Sequence, residues 1–222
     1  MKKLIVIAFL MLIQVVAAQE VTKNLGDFTA VKVFDKISVK LVKANENKIV
    51  INGSKAEDVE LVNKGNDLKI RMKFSKLLQG EDITATLYYK TIDQVEVNES
   101  AYVSSEDNFK TVSFVLNAKE GSKIKLNIDT QKLKSKMHSA GEIEITGKAA
   151  NHDVTITSGG ILKAKDFVTS QTTIGVSAGG QASINATELV DAKVRAGGNI
   201  DVYGKPKQVN KKTTAGGTIE IR

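Results

Sequence analysis

Three acids, Asp191, Asp201 and Glu220, and four tyrosines, Tyr88, Tyr89, Tyr102 and Tyr203, are the side chains of this 222-residue chain whose placement bears on chemistry. Carboxylates on adjacent strands can serve as acid and base in cleaving a polysaccharide. Asp201 and Glu220 are 19 residues apart, the interval at which a short phrase recurs around them. The neighbouring repeats hold lysine or serine at that place, as ordinary surface does, so no catalytic residue is assigned. Tyrosine rings instead offer flat faces with a polar tip, on which a sugar can stack. Tyr88 and Tyr89 adjoin on an expected strand, so one of them faces outward, and Tyr102 and Tyr203 complete a candidate ligand-binding set.

His138 and His152 are the only histidines, each beside a turn, and there is no cysteine. No ligand-like spacing joins them, so neither a metal nor a cofactor is assigned. Serine and threonine abound without a nucleophile elbow or a base partner. The glycine-rich calcium nonapeptide needs an aspartate at a fixed place after the glycines, which only Asp201 approaches. A phosphate-cradling glycine loop requires a helix after it, and here a strand follows every glycine pair.

A repeat must position the tyrosines. Ser139-Ala140-Gly141-Glu142-Ile143 returns as Ser158-Gly159-Gly160-Ile161-Leu162, Ala178-Gly179-Gly180-Gln181-Ala182, Ala196-Gly197-Gly198-Asn199-Ile200 and Ala215-Gly216-Gly217-Thr218-Ile219. The turn glycines Gly141, Gly160, Gly180, Gly198 and Gly217 are 19, 20, 18 and 19 residues apart, the mark of stacked coils. Each coil carries an apolar pair after the glycines (Ile143 and Ile145, Leu162 and Ala164) and another before the next (Val154 and Ile156, Ile174 and Val176). Alternate residues of a strand share a face, so both pairs point inward. A corner residue, Phe167, Leu189 or Val209, fills the space between them. Glycine at the turn answers either to positive φ or to close approach of the neighbouring coil. In-register stacking places Lys125, Glu144, Lys163, Ser183, Asp201 and Glu220 in one outward column, with Lys123 beside Glu142 and Asn127 beside Thr146 and Lys165. These features predict an all-β solenoid of 18–20-residue coils.

Residues 25–90 have longer strands, expected at 37–43, 48–52, 59–63, 68–74 and 83–89, with hairpin-like connections at Asn45-Glu46-Asn47 and Lys64-Gly65-Asn66-Asp67. They read as irregular coils closing one end of the regular stack, residues 91–222; one domain or two packed halves are both compatible with this pattern. Lys2, Lys3, the apolar run 4–16 and Ala17-Ala18 form a secretory signal peptide, residues 1–18, too short to span a bilayer, which takes about 20 residues. The mature chain, 19–222, carries net charge +5, the +7 of the whole less Lys2 and Lys3. Without cysteine, export proceeds with no lipid anchor and no disulfide. The positive balance is lysine scattered along strands, with only Arg71, Arg195 and Arg222 besides, which speaks for a solvated surface and against nucleic-acid binding.

Phe34-Asp35-Lys36-Ile37-Ser38-Val39, Gly53, Leu68-Lys69-Ile70 and the ending Ala196-Gly197-Gly198-Asn199-Ile200-Asp201-Val202-Tyr203-Gly204-Lys205-Pro206 resemble the autotransporter-adhesin "head GIN" domain family. The likeness spans nearly all of the mature chain and weakens at Glu99-Ser100-Ala101-Tyr102-Val103, where glycine is missing. It implies a right-handed parallel β-helix-like fold in an exported bacterial protein and carries over no catalytic residue.

The expectation is an exported, non-catalytic β-solenoid, periplasmic or at the cell surface, that binds a glycan or an envelope protein. The alternatives are a polysaccharide-cleaving enzyme built on Asp191, Asp201 and Glu220, and a structural part of an envelope assembly. With no residues after the strand 219–221 to cover the last coil, a homodimer or end-to-end contact through it is also expected.

Overall fold

The computed structural model describes residues 20–222, so the expected signal peptide lies outside the described residues. In chain order the strands are β1 (Glu20–Asn24), β2 (Ala30–Val33), β3 (Ser38–Lys43), β4 (Lys48–Asn52), β5 (Val59–Lys64), β6 (Asp67–Met72), β7 (Thr84–Tyr89) and β8 (Gln94–Val97). Then come β9 (Tyr102–Lys119), β10 (Lys123–His138), β11 (Glu142–Ile156), β12 (Ile161–Ser177), β13 (Gln181–Arg195), β14 (Asn199–Tyr203), β15 (Gln208–Thr214) and β16 (Thr218–Ile221). All sixteen join one hydrogen-bonded ladder, a β-solenoid.

Each strand from β9 to β13 is 15 to 18 residues long and makes one coil. Its in–out alternation breaks where two consecutive residues are exposed, at Gln131-Lys132, Ala150-Asn151, Ser170-Gln171 and Thr187-Glu188. A strand shows solvent two neighbouring side chains only where it bends. The opening segments stack in parallel into a front sheet that continues through β3 and β7 on one side and β14 and β16 on the other. The closing segments form a rear sheet with β8, β2 and β6, and with β15 at the other end. Parallel coils hide both apolar pairs inside: Ile143, Ile145, Val154 and Ile156 are all at most 4 % exposed. Each such side chain contributes about 1.5–3 kcal/mol by leaving water.

The expected column Lys125, Glu144, Lys163, Ser183, Asp201, Glu220 is observed residue for residue. Three details differ. Asn127 pairs with Thr146, but the register shifts after Glu144, where Lys165-Asp166 bulge outward, so Lys165 does not continue that column. Phe167 is buried, whereas Leu189 and Val209 are half-buried and Ala186 and Val190 fill the coil in their stead. Asn45-Glu46-Asn47 is not a paired hairpin, because β7 lies between β3 and β4 and bonds to both. The connection at 64–67 is a true hairpin, with β5 antiparallel to β6. The strand expected over 68–74 ends at Met72.

The turns between rear and front sheets explain the repeat. In residues 138–141, Ser139 and Ala140 have φ of 47° and 60°, and the Gly141 N–H donates to the His138 carbonyl at 3.0 Å. Two successive left-handed residues make a type I′ turn. The same pair recurs at Asp35-Lys36, Glu99-Ser100, Glu120-Gly121, Ser158-Gly159, Ala178-Gly179, Ala196-Gly197 and Ala215-Gly216. The recurring second glycine follows the left-handed pair, and its main reason is contact: a Cβ on Gly141 would lie 2.1 Å from the Ala118 carbonyl oxygen of the preceding coil. Ala101 and Ser122, both fully buried, hold that position in the earlier coils, and the Ser122 hydroxyl donates to the Val97 carbonyl at 2.6 Å.

Gly141→Ala is therefore expected to cost about 3 kcal/mol through overpacking, a fall of roughly 6–12 °C in Tm for a chain of this size. Gly159→Ala, left-handed but in open space, should cost only about 1 kcal/mol. Gly175→Ala, with ordinary φ and nothing within 4 Å, should not lower stability. Thermal melts of the three variants check this order.

Candidate binding face

The outward side of the front sheet is flat because its strands stack in register. One row runs Thr84, Ser38, Tyr102, Lys123, Glu142, and the next runs Thr86, Lys40, Ser104, Lys125, Glu144. Oppositely charged residues on adjacent coils meet: Lys125 Nζ is 2.7 Å from Glu144 Oε1, Lys163 Nζ 2.6 Å from Glu142 Oε1, and Lys123 Nζ 3.7 Å from Glu142 Oε2. The Lys163 hydrogen bond holds the Glu142 carboxyl below its usual range. At such exposure each pair adds little to stability; the ladders keep a wide parallel sheet wet and charged.

Tyr88, Tyr102 and Tyr203 all stand on this face. Tyr102 is 36 % exposed and divides two shallow recesses, one lined by Ser38, Lys40, Thr84, Thr86 and Ser104, the other by Lys123, Lys125, Glu142 and Glu144. Lys48 Nζ lies 5.0 Å from the ring centre of Tyr88, and Lys165 Nζ 4.8 Å from that of Tyr203. Tyr102 stands two strands from Tyr88 and five from Tyr203, and both of those lie four residues farther along their strands. A strand spacing of about 4.8 Å and a rise of about 3.3 Å per residue put Tyr102 about 16 Å from Tyr88 and about 27 Å from Tyr203. Tyr89 is not on the face. It is 2 % exposed, stacked on Phe109 with ring centres 5.4 Å apart, and burial pushes its phenol pKa far up.

Beside Tyr89 opens a recess of about 320 Å³ lined by Lys43, Thr91, Asp107, Asn108, Lys110 and Thr111. It exists because β9 places Ser105, Glu106 and Asp107 where β10 has only Leu126. Asp107 Oδ2 accepts the Lys43 N–H at 2.6 Å and lies 3.4 Å from the Tyr89 hydroxyl. The break of alternation across Ser104-Ser105-Glu106-Asp107-Asn108 is the only sign of this recess in the sequence.

The acids weighed for catalysis do not come together as a set. Asp201 and Glu220 are neighbours on the front sheet, but Arg222 binds both, Nε to Asp201 Oδ1 at 2.9 Å and Nη2 to Glu220 Oε2 at 2.8 Å. Asp191 belongs to the rear sheet, 3.4 Å from Lys193 Nζ. Among the described residues no three histidine or acidic side chains are grouped to hold a metal ion. His138 is exposed and bonds Thr157 Oγ1 at 2.6 Å. His152 lies inside the coil, its Nε2 2.8 Å from Ser135 Oγ and its ring edge-on to Phe167.

The family described as "Putative auto-transporter adhesin, head GIN domain" matches residues 27–206. A crystal structure of a "putative adhesin" from Bacteroides fragilis superposes with a TM-score of 0.82 at 19 % identity, over 92 % of this chain and 97 % of that one. Similar structures named as putative adhesins come from Parabacteroides distasonis (TM-score 0.75, 19 % identity, 93 % and 98 % covered) and Parabacteroides merdae (0.72, 18 %, 92 % and 95 %). At these identities the structural likeness is one of fold. No curated protein matches the chain.

Burial lowers the His152 pKa from 6.5 to about 3. The unfolded chain takes up this proton as pH falls through 6.5 while the folded chain does not, so stability is level above that pH and declines towards pH 3, by about 2 kcal/mol at pH 5. Urea midpoints of the wild type should fall between pH 7 and 5, and His152→Gln should lack most of that slope; an equal slope would assign the effect to other groups. The family match covers most of the sequence, and this chain belongs to the head GIN domain family of auto-transporter adhesin-like proteins.

Proposed function

We propose that this protein is an exported, non-catalytic binding module, periplasmic or at the cell surface, whose front sheet takes an extended glycan. The carrying observation is that Tyr88, Tyr102 and Tyr203 all face outward on one flat sheet, with hydroxyls, lysines and carboxylates between them. A sugar chain binds by laying apolar ring faces on aromatic rings and exchanging its hydroxyl hydrogen bonds for those of polar side chains. The roughly 27 Å between Tyr102 and Tyr203 suits several linked sugars rather than one. The family name and the names of the structural neighbours agree with a binding role. Arg222 holds Asp201 and Glu220 as an ion-paired group, which supports binding over cleavage: both carboxylates are engaged by the guanidinium rather than free to face a sugar bond.

The purified chain, residues 19–222, is to be passed over immobilised envelope and host polysaccharides while released reducing or unsaturated ends are measured. Retention without release is expected, weakened about tenfold by Tyr102→Ala, the loss of about 1.4 kcal/mol. Release of sugar ends, abolished by Asp201→Asn, would make the protein an enzyme instead.

A further inference from the structure

Residues 68–80 carry Lys69, Arg71, Lys73 and Lys76 and no aspartate or glutamate. They run from β6 into the connection to β7. Where the other coils cross from rear to front sheet in three or four residues, such as 139–141 or 98–101, this one takes 73–83. Three of its side chains are large, apolar and in water: Phe74 is 89 % exposed, Leu77 45 % and Leu78 49 %. Few other large apolar residues of the described chain are so exposed, and none of them clusters in this way.

The connection is built to keep them there. The buried Asp35 carboxylate accepts the Leu78 N–H at 2.7 Å and the Met72 N–H at 2.9 Å, and its carbonyl accepts the Gly80 N–H at 3.1 Å. A Cβ on Gly80 would meet that carbonyl oxygen at 2.4 Å, so the base of the loop is close-packed. Lys76 and Gln79 close short turns onto Lys73 and Lys76. Leu78 is held at φ 60°, a left-handed conformation that a leucine side chain disfavours. A loop folded this firmly around exposed apolar groups marks a contact surface.

We infer that this loop inserts into the surface of an anionic phospholipid bilayer. Two observations favour lipid over a protein partner. The tip projects: a ring 89 % exposed has almost no protein beside it, and Lys73, Ser75, Lys76 and Gln79 interrupt the apolar residues, so they do not form the continuous patch that a protein interface needs. Its charge also matches. Arg71 and Lys73 are paired with Glu60 and Asp58, while Lys69 and Lys76 have no ion pair among the described residues. Glu81 and Asp82 lie at the far end of the same connection, after the apolar tip, and Asp82 is bonded to Ser54. Lys69, Arg71 and Leu77 border a recess of about 270 Å³, which Phe34, Asp35 and Glu99 complete. An interface accepts such a tip with apolar groups below the headgroups and lysines among them, and anionic headgroups strengthen the attraction. The loop sits where the chain crosses from the rear to the front sheet, outside the outward rows of the front face.

The chain has no tryptophan, so Phe74→Trp supplies a single fluorophore. With phosphatidylglycerol-containing vesicles its emission should shift to the blue, less so in high salt or with pure phosphatidylcholine. The variant Phe74→Ser/Leu77→Ser/Leu78→Asn, in which asparagine tolerates the left-handed φ, should co-sediment with the anionic vesicles about tenfold less than the wild type with an unchanged melt. Its retention on polysaccharide should equal that of the wild type, which separates this proposal from glycan binding. No blue shift, no wild-type sedimentation, or equal sedimentation of the variant would overturn the inference; loop-dependent capture by a protein in vesicle-free extract with no vesicle binding would reassign the loop to a protein partner.

Discussion

The structure depends on how closely one coil can approach the next at the turn. Successive parallel strands must sit about 4.8 Å apart to share hydrogen bonds, and at the type I′ turns of the regular stack, from Ala101 onward, the residue after the left-handed pair is accordingly small or has no side chain. Gly141, Gly160 and Gly180 have ordinary φ yet no room for a Cβ. The left-handed positions themselves are often serine or alanine, a strain of about 1–2 kcal/mol per residue offset by core burial and by hydrogen bonds from turn to turn, such as Ala140 N–H to the Ser158 carbonyl at 3.0 Å. Because the turns align, the strands align; because the strands align, outward residues fall into rows.

Those rows give the molecule its surface chemistry. A flat sheet with long rows of like side chains invites aggregation unless charges alternate or interrupt it. Here Lys125 meets Glu144, and Glu142 stands between Lys123 and Lys163. The same register sets the outward tyrosines on separate strands, with Tyr88 and Tyr203 four residues farther along their strands than Tyr102. Departures from the repeat sit elsewhere: the extra residues of β9 make the recess beside Tyr89, and the long connection after β6 makes the apolar tip.

Much of this was legible in the sequence where the pattern is periodic. The spacing of the glycines identified the coils, and alternation identified the inward pairs and the column from Lys125 to Glu220 correctly, because a period of two leaves no freedom once the turns are aligned. What was misread depended on interruptions. Lys165-Asp166 add one residue and end the Asn127 column, a local bulge that periodicity does not announce. Asn45-Glu46-Asn47 has hairpin chemistry, but β7 arrives later in the chain to pair between its two strands, a long-range event no local signal encodes. Phe74 looked like the end of a strand because it follows Leu68, Ile70 and Met72 in alternation; the left-handed Leu78 and the buried Asp35 decide otherwise. Which of Tyr88 and Tyr89 faces out was undecided until parity with Leu87 and Ala85, both buried, settled it.

Binding through the front sheet, and not through another surface, leaves a distinct mark on the tyrosines. Hydroxyl-radical footprinting of the four tyrosines, with and without a polysaccharide that retains the protein, tests it most directly. Tyr88, Tyr102 and Tyr203 are expected to lose reactivity together on binding while the buried Tyr89 is unreactive throughout. Unchanged reactivity at those three, with protection appearing only at exposed residues off the front sheet, would contradict it.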